Sequence, residues 1–239
     1  MKALTSDETA SLVGDAQHDR VRRLLPQYLL CRLHSQAQNQ VQSLHDQLRG
    51  LWDERLFREH FVASTRTLHA TLTSFTADEI AQLEQAGIHW SITGTLDELG
   101  RIVLLVLADR LCPSTEFASL VLSLFRQGDC QERQAVLRAL PLLLSPQCFM
   151  PLAVDACRSH MQPIFEAIAC HNPYPARHFP DLHFNQMVLK GLFTGTALSR
   201  IIGLDTRITP ELVRMATDYA SERRAAGRSV PADIERLLR

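Results

Sequence analysis

Cys170, His171 and Asn172 are consecutive and supply the residue types of a thiol nucleophile, its base and an orienting amide. Triads of that kind draw their members from separated segments, because neighbouring side chains do not aim into one in-line hydrogen-bonded array. Nucleophilic catalysis by this trio is therefore not expected. Cys157 and His160, taken with Cys170 and His171, offer four sulfur and nitrogen donors. Their spacing matches no established zinc pattern, so no metal is expected either. Asp97 and Glu98 are adjacent carboxylates in what reads as a first helical turn, where acids favour the helix dipole without any catalytic role.

A binding constellation is the better reading of the remaining polar residues. It comprises His171, Asn172, Tyr174, Arg177, His178 and Phe179 in the run His171–Pro180, followed by Asn185, Gln186 and Lys190. Tyr174, Phe179 and Met187 would line a pocket and the amides and the lysine would form its polar end. Alternatively, Asn185 bonds backbone carbonyls of the proline-rich segment, while Gln186 and Lys190 face water. Pro173, Pro175 and Pro180 each fix φ and remove a backbone donor, so the segment is too stiff and apolar for a solvated linker. It is expected to be ordered against the helices around it.

Those helices are signalled along the whole chain. Thr76 with Glu79, and Thr95 with Glu98, read as capping boxes before apolar periodic runs, and Asp129 with Glu132 is a weaker start of the same kind. Phe117, Leu120, Val121, Leu124 and Phe125 form one amphipathic face. No segment alternates at period two for long enough to argue a strand. The fold class is all-α, a helical bundle running into HEAT-like or α-solenoid-type helix pairs, with no sheet expected.

Residues 1–90 read as an N-terminal part with helices at about 7–34, 37–50, 52–74 and 77–86, the first open to a bend or break at Pro26. Residues 91–239 read as the C-terminal HEAT-like part, joined through Gly87–Gly94 into one continuous globular unit. Phe117, Leu120, Val121 and Leu124 recur 32 residues later as Phe149, Leu152, Ala153 and Ala156, and again as Asp181, Phe184, Asn185 and Val188. A two-helix unit of that length is what solenoids stack. The register places Asn185 toward the core, where a buried amide needs partners.

Bulk properties narrow the function classes. The chain has 239 residues and a formal charge of −1, with no clustered basic stripe to recruit nucleic acid. Its longest strongly apolar run, Ile102–Ala108, is too short to span a bilayer. The N-terminus, Thr5-Ser6-Asp7-Glu8-Thr9, is unlike a secretory signal, so a cytoplasmic protein is expected. The six cysteines lack framework spacing and are expected as reduced thiols. No cofactor is expected. Only Lys2 and Lys190 are lysines among 25 basic residues, which draws attention to the internal one.

Several runs between 131 and 226 together resemble the EboA-domain family. They are Glu132–Pro141, Ala153–Arg158, Phe165–Ala176, Phe184–Lys190 and Arg200–Asp205. Gly191 is a small departure inside a helix, where close backbone approach is expected. The resemblance implies a component of a bacterial and algal gene cluster that moves secondary-metabolite precursors, prenylated or indolic compounds among them, toward the cell envelope. It implies no agreed enzymatic activity. The reading is a soluble binding or adaptor factor whose partners are a small hydrophobic or aromatic metabolite and other cluster-encoded proteins. Two rivals stay open: an enzyme using His171, His178 or Lys190 for acid–base chemistry, and a scaffold docking membrane-bound cluster partners.

Overall fold

A computed structural model describes residues 20, 23–33, 38, 42, 46–47, 52–68, 72–90 and 94–238. Most of the helices expected over 7–34 and 37–50 lie outside the described residues. Residues 23–31 are helical and run through Pro26 without a break. The helices are α1 (Glu54–Leu68), α2 (Ala77–Gln85), α3 (Leu96–Leu111), α4 (Ser114–Gln127), α5 (Cys130–Ala139), α6 (Met150–Arg158), α7 (Gln162–Ala169), α8 (Tyr174–His178), α9 (Asp181–Thr194) and α10 (Pro210–Ala225).

The chain divides into two compact units, Met1–Cys148 and Phe149–Arg239. The joint expected at Gly87–Gly94 lies inside the first unit, because α3, just beyond it, packs against both α1 and α5. That helix is buried nearly all round, polar residues included, and serves as the unit's central post. The expected face of α4 is also buried, through Phe117, Leu120, Val121 and Leu124.

The capping boxes at Thr76/Glu79 and Asp129/Glu132 both form, each side chain bonding the other residue's backbone N–H. The box expected at Thr95/Glu98 does not form. Both acids of that turn are drawn to arginines instead. Asp97 accepts from Arg101 Nη1 at 2.9 Å, and Thr65 donates to the same oxygen at 3.1 Å. Glu98 pairs with Arg138 of α5. Asp97 and Arg101 are 0 % and 1 % exposed, so this is a core ion pair, a partner that the reading of Asp97 as a first-turn acid did not include. Burial pushes the Glu98 carboxyl up, with Arg138 opposing it. For Asp97, burial acts upward but hydrogen bonds from Thr95 and Arg101 win, leaving it below the usual carboxylate range.

A small sheet corrects the expectation of none. Strands β1 (Leu72–Thr73) and β2 (Gly94–Thr95) pair antiparallel, Leu72 opposite Thr95 and Thr73 opposite Gly94. Two residues per strand are too few to show a period in sequence. A Cβ at 94 would strike the Glu98 carboxylate, which would have to move aside.

The second unit opens with a helix hairpin, α6 on α7, and α9 packs on both α7 and α10. Phe165, Phe184 and Val188 are fully buried at its centre. In α9, an added Cβ at Gly191 would stand 3.4 Å from the Leu198 side chain, an ordinary contact, so close backbone approach does not account for this glycine. All six cysteines are free thiols, with Cys112, Cys157 and Cys170 buried and Cys31 and Cys148 exposed.

Candidate functional site

The segment His171–Pro180 packs into the second unit, with Asn172, Tyr174 and Phe179 buried, and contains the short helix α8. Asn172 begins it. Its Oδ1 accepts from Tyr174 N at 3.0 Å and its Nδ2 donates to Ala167 O at 3.0 Å, an Asx turn tied to the end of α7. His171 adopts φ +53°, its N–H donating to Arg200 O, while its exposed imidazole accepts from Arg200 Nε at 3.3 Å. Tyr174 is fully buried, its ring 4.7 Å from His178 and 6.1 Å, edge-on, from Phe179. Burial lowers the His178 pKa and adjacent Arg177 lowers it further; burial likewise lowers Arg177.

Arg207, which sequence reading passed over, clamps the far side of the segment. It donates to Ala176 O at 2.6 Å, to Phe179 O at 2.9 Å and to Asp181 Oδ1 at 2.7 Å, with its guanidinium over the Phe184 ring. Gly203, at φ +74°, allows this approach, since a Cβ there would stand 2.7 Å from Ala176 Cβ.

The expected polar end does not converge on one point. Asn185 is 1 % exposed, as its place in the repeat required, but its Oδ1 has no hydrogen-bond partner among the described residues. Asn172, not Asn185, pins the segment. Lys190, half-buried, does not line the depression between α6 and α9: Nζ donates to Cys157 O and Ser159 O, both at 2.6 Å, and lies 4.8 Å from the centre of the Phe165 ring. It caps the carbonyl end of α6. Burial pulls its pKa below the ordinary lysine value, against a small opposing effect of Cys157.

Phe179, Gln186 and Met187 do meet, at a depression of about 80 Å³ between α6 and α9. Val154 and Cys157 complete its floor, and Arg158 and His183 join Gln186 at its rim. The four residues not foreseen as a site sit at helical spacing, 154, 157 and 158 on α6, and 183 one turn before Gln186 and Met187 on α9. Tyr174 and Lys190 are not among the lining residues. Burial pushes the Cys157 thiol up to about 12, so at neutral pH it is an uncharged part of the floor.

Leu182 and Phe193 are 59 % and 72 % exposed on α9, and with Gln186 and Leu189 between them they follow one face of that helix. Among the described residues no group of three or more His, Cys, Asp or Glu is placed to hold a metal, and no helix is long and apolar enough to cross a membrane.

The model of the EboA family, described as metabolite traffic protein EboA, matches residues 21–239, and the chain belongs to that family. No curated protein and no solved structure matches it.

Proposed function

We propose that this protein is a cytoplasmic binding and adaptor factor that helps move a secondary-metabolite precursor toward the cell envelope. The observation that carries this reading is the depression between α6 and α9, apolar at its floor and polar at its rim, in the unit whose sequence runs resemble the family most. Acid–base catalysis is less well supported by the residues named for it. The His171 imidazole meets Arg200 at the surface, His178 stacks on Tyr174, and the Lys190 ammonium holds two carbonyls. Helix hairpins at matching 32-residue positions, α4–α5 and α6–α7, support a HEAT-like reading of the architecture.

A second reading, a scaffold for other proteins of the same route, is favoured by the exposed Leu182 and Phe193 on α9. Native mass spectrometry of the protein purified from its own host separates the two. A copurified small molecule supports the binding factor, a stoichiometric protein partner without one supports the scaffold, and an apo monomer counts against both.

A further inference from the structure

Most polar side chains around the proline-rich segment are occupied. Asn172, Lys190 and Arg207 hold backbone carbonyls, and Arg200 and Arg236 hold carboxylates at 2.8 Å and 2.7 Å. The rim of the depression is different. Arg158, at the end of α6, forms no hydrogen bond or ion pair among the described residues. The exposed Gln186 side chain has no partner among them either. His183 Nδ1 is buried and likewise lacks one. Three unused polar groups, one of them a full positive charge, therefore surround one apolar floor. No carboxylate lines it and the thiol at its base is neutral, so no lining side chain carries a negative charge.

Resting on the metabolite-binding reading, we propose that this depression is a binding site for a small amphipathic monoanion, a carboxylate on a short branched apolar body. The carboxylate meets Arg158 and takes hydrogen bonds from Gln186 and His183, a charge-assisted arrangement that a neutral amide cannot reproduce. The apolar body lies on Val154, Phe179 and Met187. A volume of about 80 Å³ sets the size. A depression this small suits the branched end of a short acyl chain at its floor, with the carboxylate at the open rim.

The test uses the full chain and isovalerate, followed by NMR of the Met187 methyl group, with isovaleramide as the neutral isostere. Isovalerate is expected to shift that resonance saturably and isovaleramide to bind at least tenfold more weakly. Arg158→Gln, a change at an exposed residue, should weaken isovalerate at least tenfold. Val154→Phe, which fills the floor, should abolish the shift, provided its circular dichroism matches the parent. Unsaturable shifts, or equal affinity for acid and amide, overturn the proposal, as does an unchanged Arg158→Gln. Native mass spectra of host-purified Val154→Phe separate the two levels of the argument. A small molecule still carried by that variant removes this site and leaves the metabolite-binding reading standing. Saturable isovalerate binding by a parent that carries nothing from its host keeps the site and removes the reading.

Discussion

Lys190→Met isolates what the internal lysine does. The ammonium donates to Cys157 O and Ser159 O at 2.6 Å each and stands over the Phe165 ring. Buried hydrogen bonds from a charged donor contribute about 1.5–3 kcal/mol apiece. Lys190 is half-buried, so water replaces part of each bond in the variant, and about 2 kcal/mol for the pair is the appropriate figure. A cation at a helix carbonyl end adds about 0.3–1 kcal/mol. Methionine keeps the stem against the ring, so the expected loss is about 2–3 kcal/mol. Both tryptophans, Trp52 and Trp90, belong to the first unit. Urea unfolding should therefore be followed by far-ultraviolet circular dichroism, with the second unit's transition moving to lower urea. Ligand binding at the α6–α9 depression should persist. A variant within about 0.5 kcal/mol of the parent would refute the capping role, because surface substitutions without such a role fall in that range. Lost binding with full stability would instead return Lys190 to the site.

Asn172→Ala removes both bonds of the Asx turn and is expected to cost about 1–3 kcal/mol in urea, whereas Asn185→Ala, whose carbonyl oxygen is unpartnered, should cost less. Equal losses would show that Asn185 shares the pinning. Asp97→Asn leaves Arg101 as an uncompensated core charge and should destabilise the first unit by about 3–5 kcal/mol, read by tryptophan fluorescence; a loss below 1 kcal/mol would contradict the burial argument. Glu79 has its pKa held down to about 2, chiefly by the hydrogen-bonded Arg32 guanidinium. A carboxyl depressed on folding contributes stability that is present above its unfolded value of 4.5 and is lost as pH falls toward about 2. Glu79→Gln should flatten that acid limb of the stability curve, and an unchanged limb would assign it to other groups.

What could be read from sequence was whatever local spacing decides. The helix starts at Thr76 and Asp129 and the buried face of α4 need only residues within a turn or two of each other, and they form as expected. Thr95–Glu98 has the same letters as a capping box, yet Glu98 turns to an arginine 40 positions on, a partner no local pattern contains. Asn185 was rightly placed in the core by the repeat, but a burial pattern does not say which atom meets it. The pinning amide was instead Asn172, whose partners lie two and five residues away. Lys190 and Arg207 both reach carbonyls about thirty residues distant, so their roles emerge only from the folded chain. The depression shares that origin, since α6 and α9 each carry an unremarkable stripe until they are set side by side.

Glu98 and Arg138 place one charge of a pair on α3, where it is buried, and the other on α5, where it is partly exposed. Packing α3 without α5 leaves the buried Glu98 carboxylate without its partner, at a cost of about 1–3 kcal/mol. Partly assembled forms of this unit, with α3 packed and α5 still loose, are therefore raised in energy relative to both end states. The pair thus favours joint docking of the two helices over docking of α3 alone. The first unit is expected to unfold in one concerted step, and Arg138→Met should blunt the sharpness of that transition as well as shift its midpoint.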